Sequence, residues 1–221
     1  MSNVWGLILS YVLIFLIIGI STVLQNKKIL GEEGARKFIH IGVSNWWILA
    51  MIFFTGDNAV WFAMIPPVTF IVLNYLSYRL NLLKAMERGG KGNLGTVYFP
   101  ISLLILVILT FGVLERPEIG AIGILIMGYG DGLAAAIGSK YGKHKLVFGK
   151  SVEGTVTMFV ASLVVALTVG LFYYPVWTAL ILAVGVSAFA TLIELFTPKG
   201  LDNISVPLSA SLIYYLLFLV F

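Results

Sequence analysis

The chain has 221 residues, of which 60% are hydrophobic and only 11% charged, and its mean hydropathy is +1.02. A soluble domain carries about 25% charged residues, so this composition belongs to a membrane protein. Cysteine is absent, which excludes disulfide frameworks and cysteine metal sites, and the pI of about 9.2 reflects loop charges that orient membrane helices, not affinity for nucleic acid.

A membrane span takes about 17–25 mostly apolar residues. The sequence predicts helices near 4–24, 38–54, 59–78, 97–114, 119–138, 156–173, 176–196 and 206–221. The expectation is an all-α, polytopic integral membrane protein of about eight spans, forming a single transmembrane domain over 1–221. Helix ends are set only to within a few residues, which leaves seven or nine spans open. The run from Val4 to Leu24 has no Lys or Arg before it and no small-residue cleavage pattern, so it reads as a retained span and not a signal peptide. Lys27, Lys28, Arg36 and Lys37 fall in the first loop, Arg79, Lys84, Arg88 and Lys91 in the third, Lys140, Lys143, Lys145 and Lys150 in the fifth, and Lys199 in the seventh. Of the 14 basic residues only Arg116 lies on the other set of loops. The positive-inside rule then puts the odd loops in the cytoplasm and both termini outside, in a cell (plasma) membrane. Trp46, Trp47 and Trp61 read as the aromatic belt of the opposite interface.

Polar groups follow in chain order. In "ARKFIHIG", Arg36 and His40 are four apart and share a helix face beside Lys37, a set suited to a phosphate or a lipid headgroup. "GKGNLGTV" (Gly90–Val97) and "GKSVEGTV" (Gly149–Val156) echo one another. Either loops rich in Gly and Lys resemble each other by chance, or two helix N-termini, with Lys91 and Thr96 on the first, turn free N–H groups to one anionic ligand. Asp131 lies inside the fifth span, where an ionisable group is costly and therefore a functional hypothesis. Ala134, Ala135 and Gly138 share its face, a small-residue surface that lets another helix or a ligand approach closely.

"GKHKLVFGKSVEGT" (Gly142–Thr155) ends like a P-loop, but the nearest earlier glycine is two residues too far from Gly149 and no strand precedes it. It reads instead as a cytoplasmic phosphate-handling loop, with Lys143, Lys145 and Lys150 first and a helix start bearing Ser151, Glu153, Gly154 and Thr155 last. Glu194 ends the seventh span, and Asp202-Asn203 follows in "TPKGLDNISVP", a pair that in isolation reads as a turn or cap. Asp131, Glu153, Glu194 and Asp202 all reach one face of the membrane. Hard oxygen ligands beside lysines are what a Mg²⁺-nucleotide requires: Asp131, Asp202 and Glu194 as metal ligands, and Lys143 and Lys150 offsetting phosphate charge. Asp131 or Glu153 would accept a proton, and the sequence does not say which.

"RKFIH", "GDGLAAAIGSKYGKHK", "GKSVEGT", then Glu194 and "KGLDNISVP", in this order, resemble the CTP-dependent lipid-alcohol kinases. That family includes dolichol, phytol and CTP-using diacylglycerol kinases and is related to the phosphatidate cytidylyltransferases. The resemblance covers most of the chain from residue 36 onward. It implies a polytopic kinase that moves the γ-phosphate of CTP to a lipid hydroxyl with a divalent metal. Under it, Asp131 falls on the Gly-Asp carboxylate, Lys150, Ser151, Glu153, Gly154 and Thr155 on the Lys-Ser-x-Glu-Gly-Thr element, and Asp202, Asn203 and Pro207 on the last motif. Gly132 departs from the hydroxyl residue that many relatives carry. The compact length favours the phytol or polyprenol branch. A cytidylyltransferase ranks second, since its Ser-Pro-Lys-Lys-Thr and Asp-Arg-x-Asp elements are missing. A transporter, the rival from another class, places its carboxylates near the midplane of an inverted repeat, whereas here they collect at one face.

Overall fold

The computed structural model describes residues 1–80, 94–198 and 200–220. Among them every regular element is helical, with no strand. The chain divides into two compact units, Met1–Pro117 and Glu118–Phe221.

The first unit holds α1 (Ser2–Asn26), α2 (Glu32–Ser44), α3 (Trp46–Phe53), α4 (Ala59–Leu80) and α5 (Gly95–Val107), which runs on as a π-helical turn, Ile108–Val113. The α1 helix packs on α2, α3 and α4, and α4 packs on α5. The second unit follows with α6 (Pro117–Leu125), a π-helical stretch Ile126–Asp131, α7 (Gly132–Tyr141), α8 (Val152–Tyr173), α9 (Val176–Phe196) and α10 (Asp202–Phe218). Among the described residues, six helices are long and apolar enough to cross a membrane: Ser2–Asn26, Ala59–Leu80, Gly95–Val113, Pro117–Tyr141, Val152–Tyr173 and Val176–Phe196.

The expected spans at 38–54 and 206–221 do not meet that test. The first is broken at Asn45, whose side-chain amide donates to the carbonyls of Ile41 at 2.9 Å and Gly42 at 3.3 Å. Such back-bonding competes with the helix's own ladder, and α2 and α3 result. The α10 helix has 17 residues. The aromatic-belt reading of Trp46 and Trp47 is corrected as well. Both rings are fully buried. The Trp46 indole N–H donates to Ser10 Oγ at 2.8 Å and that of Trp47 to the Pro117 carbonyl at 2.8 Å. With internal acceptors for their N–H groups, the two rings fill the core of the first unit and do not straddle an interface. Trp61 is exposed.

In the second unit α8 packs against α7 and α9, α9 against α10, and α10 against the π-helical stretch. The α6–α10 crossing is a backbone contact. A Cβ on Gly123 would sit 2.2 Å from the Pro207 carbonyl oxygen and 2.3 Å from Ser211 Oγ. Ser211 Oγ itself donates to the Ile119 carbonyl at 3.0 Å. Small residues at helix crossings are how membrane helices approach closely. This crossing sets where the start of α10, with Asp202 and Asn203, lies against the helix that leads to Asp131.

Candidate functional site

The polar residues of the second unit come from four places: Asp131 where the π-helical stretch meets α7, Lys150 just before α8, Glu194 near the end of α9 and Asp202 at the start of α10. Asp131 closes the π-helical stretch and is buried; such stretches inside α-helices recur at functional sites. The small-residue face beyond it, expected to admit another helix or a ligand, receives α8. A Cβ on Gly154 would lie 3.0 Å from the Ala134 carbonyl oxygen and 3.4 Å from Gly138 Cα. Gly154, expected to bind phosphate, is therefore first a packing residue that seats the start of α8 against the Asp131 helix.

The loop between α7 and α8 is a short hairpin. Leu146 N–H donates to the Lys150 carbonyl at 2.8 Å, Val152 N–H donates to the His144 carbonyl at 3.0 Å, and Lys145 and Ser151 form an antiparallel bridge. Ser151 is buried, and its Oγ accepts from Gly154 N–H at 3.2 Å, an N-cap that explains why α8 starts at Val152. The Thr155 hydroxyl is enclosed, with no hydrogen-bond partner among the described residues. Lys143 and Lys145 are exposed on the hairpin, whereas Lys150 turns inward.

Lys150 makes the central contact. Its Nζ lies 2.7 Å from Glu194 Oε1, and both side chains are almost fully buried. The same ammonium donates to the backbone carbonyl of Glu194, in the last turn of α9. A cation there satisfies an end carbonyl and meets the negative end of the helix dipole. Glu194 also lies within electrostatic reach of both Asp131 and Asp202. Asp202 and Asn203 are buried at the start of α10. Asp202 Oδ1 accepts from Gly200 N–H at 2.9 Å and Asn203 N–H at 3.0 Å, while Asn203 Nδ2 donates to the Gly200 carbonyl at 3.2 Å. Gly200, at φ +102°, provides the left-handed turn that this needs.

The structure thus brings Asp131, Lys150, Glu194 and Asp202 into one buried group. Glu153 has a different partner: its Oε1 lies 3.0 Å from His144 Nδ1 on the hairpin. The sequence reading passed over His144. Its signal was a histidine between two lysines in the loop that leads into the helix of Glu153.

In the first unit, Arg36 is paired with Glu33 one turn earlier, Lys37 is buried, and the His40 ring centroid lies 4.4 Å from that of Phe99. The Thr96 carbonyl accepts from Asn74 Nδ2 at 2.8 Å. Lys91 lies outside the described residues.

Among the described residues no three His, Cys, Asp or Glu side chains are placed to hold a metal ion by themselves. Glu194 Oε1 is engaged by Lys150, and the Asp131 and Asp202 carboxylates lie within electrostatic reach of Glu194. Mg²⁺ is commonly held by one or two carboxylates, with phosphate oxygens and water completing its shell. The donor set therefore fits a metal that arrives with a nucleotide better than a resident ion in a protein cage.

No protein-family model matches the chain, and no solved structure matches it. Among curated proteins it is 39% identical over 191 residues to the phytol kinase of Synechocystis sp., a match covering 82% of this chain and 78% of that protein. It is 31% identical over 216 residues to phytol kinase 1, chloroplastic, of Arabidopsis thaliana, covering 88% and 70%. To the probable phytol kinase 1, chloroplastic, of Oryza sativa it is 31% identical over 224 residues, covering 88% and 68%. The chain belongs to the phytol kinase family of lipid-alcohol kinases, and it is a phosphotransferase.

Proposed function

We propose that this protein transfers the γ-phosphate of CTP to the hydroxyl of an isoprenoid alcohol of the phytol or polyprenol type. The observation that carries this reading is the buried Asp131–Lys150–Glu194–Asp202 group at the helix ends of a chain related to phytol kinases. CTP as donor rests on the family resemblance of the Gly-Asp and Lys-Ser-x-Glu-Gly-Thr elements. We take α2–α3 and α10 as two further membrane-embedded segments, for about eight in all. The odd loops would then face the cytoplasm and the termini the outside of a cell membrane, as the basic residues direct. Residues 1–221 would act as one kinase domain.

In the proposed step the alcohol oxygen attacks the γ-phosphorus, the bond to the β,γ-bridging oxygen breaks, and CDP leaves. The hydroxyl proton passes to a carboxylate, Asp131 or Glu153. Mg²⁺ bound with the nucleotide at Asp131 and Asp202 would neutralise charge on the transferred group. Lys150 anchors the hairpin through Glu194 and sets its ammonium among these carboxylates. Ser151 caps α8 through Gly154 N–H and so holds the start of that helix, with its positive dipole end and the Thr155 hydroxyl, beside the phosphate. Lys143 and Lys145, exposed on the hairpin, draw the anionic nucleotide in from water. On the first unit Arg36, Lys37, His40 and Thr96 are proposed headgroup contacts.

The test is labelled-phosphate transfer by the purified chain, with CTP or ATP labelled at the γ-position and a panel of lipid alcohols. Label on phytol or a polyprenol, from CTP in preference to ATP, is the expected result. Label recovered only as a CMP-lipid from α-labelled CTP would replace the kinase reading with a cytidylyltransferase. Asp131→Asn should lower turnover by about a hundredfold or more while the protein still inserts and folds.

A further inference from the structure

We propose that the hairpin between α7 and α8 is a membrane anchor, with its Leu146–Val147–Phe148 tip seated in the headgroup boundary of an anionic bilayer. The proposal rests on the reading of α7 and α8 as parts of membrane spans, and its test does not use the phosphoryl-transfer step.

The turn at the tip carries two consecutive residues with positive φ, Phe148 at +56° and Gly149 at +72°. Glycine adopts that region freely, but a bulky aromatic residue does so only against a steric penalty. Phe148 is 53% exposed, Val147 45% and Leu146 38%. A single exposed apolar side chain needs no explanation. Three in succession on a loop tip, the last of them in a costly positive-φ conformation, are a contiguous patch of the kind that marks an interaction site. The lipid-facing helix surfaces do not account for them, because they lie beyond the end of α7 at Tyr141 and before the start of α8 at Val152.

Two observations name the occupant. The hairpin hangs directly from the ends of two apolar helices, Pro117–Tyr141 and Val152–Tyr173, so the bilayer boundary is the nearest apolar medium. Its flanks carry Lys140, Lys143 and Lys145, all exposed, and Tyr141, whose ring lies 5.1 Å from Lys140 Nζ. An apolar wedge framed by lysines and an interfacial tyrosine is complementary to anionic headgroups over acyl chains. The return arm of the same hairpin turns Lys150 and Ser151 inward to Glu194 and the α8 cap. Anchoring the tip therefore fixes the height of those two residues relative to the bilayer surface, the level at which a lipid hydroxyl is found.

The chain has no cysteine, so a single introduced thiol labels one position. Spin labels at Phe148→Cys and, separately, at Val147→Cys are read in the full chain reconstituted into vesicles of phosphatidylcholine with about one-quarter phosphatidylglycerol. Asp57→Cys, at an exposed polar turn, is the control. Both tip labels should collide preferentially with oxygen, which partitions into the bilayer, and the control with a neutral, water-confined nickel chelate. The ratio of the two accessibilities should differ several-fold between tip and control. Omitting phosphatidylglycerol should move the tip labels toward the aqueous value. Tip labels as open to the nickel chelate as the control would overturn the anchor. So would labels shielded from both reagents, since the tip would then be covered by protein. An unchanged depth without anionic lipid would remove the role given to the lysines. None of these readings depends on turnover, so failure here leaves the kinase assignment to its own assay.

Discussion

Lys150→Met removes the ammonium but keeps an apolar stem of similar length, and it isolates the contact on which the site is built. Glu194 is buried, its Oε1 lies 2.7 Å from Lys150 Nζ, and Asp131 and Asp202 add negative charge nearby. Removing one partner of a buried pair leaves the other charge uncompensated, at a cost of about 3–5 kcal/mol. Loss of the cation at the last turn of α9 adds up to about 1 kcal/mol. At 1.4 kcal/mol per tenfold, the pair alone shifts the folded-to-unfolded ratio by roughly two to three and a half powers of ten. Glu194→Gln should cost less, because the Glu194 backbone carbonyl still accepts from Lys150 and the neighbouring carboxylates still offset its charge. The double variant Lys150→Met/Glu194→Gln should recover much of the stability lost in Lys150→Met. The assay is denaturant titration in mixed micelles, followed by intrinsic tryptophan fluorescence and paired with phosphoryl transfer. Under the phosphate role proposed for Lys150, the double variant should remain inactive although its stability recovers. A Lys150→Met midpoint equal to that of the parent would refute the electrostatic reasoning. Parental turnover in the stable double variant would remove Lys150 from the phosphate machinery.

Gly123→Ala should destabilise the second unit by about 1–3 kcal/mol. Its new Cβ would lie 2.2 Å from a backbone oxygen, which cannot rotate away as a side chain could. An unchanged unfolding midpoint in detergent would show that α6 and α10 separate at no cost. Ser151→Ala should lose about 1 kcal/mol of stability with the α8 cap, and Ser151→Asn should restore it. If the apparent affinity for the nucleotide falls in both variants, Ser151 also touches phosphate; if it recovers with Asn, the cap is its whole role.

Much of the helix plan was legible from composition and local pattern. Apolar runs marked the helices, and six of them meet the length and composition of a span. The small face beyond Asp131 was legible as well, since Ala134, Ala135 and Gly138 recur at helical spacing whatever the helix packs against. Where α2 ends was not, because the side chain of Asn45 donates to carbonyls of the helix that precedes it, and composition does not register that choice. The order of the Gly-Asp, Lys-Ser-x-Glu-Gly-Thr and Asp-Asn-Pro elements carries the family resemblance by itself.

The pairings were left to the tertiary structure. Lys150 and Glu194 are 44 residues apart. In sequence one reads as a phosphate ligand and the other as a metal ligand; only the fold shows that the two side chains pair with each other. That Gly154 and Ser151, read as phosphate contacts, also seat and cap α8 is visible only in the fold. Trp46 and Trp47 prove to be core because Ser10 and Pro117 offer acceptors that no local window contains. Periodicity, charge placement and turn chemistry are properties of neighbours along the chain, so the sequence by itself determined the class, the helices and the family. Which charge neutralises which, and which small residue faces a backbone, depends on distances between remote segments, and packing alone decided those.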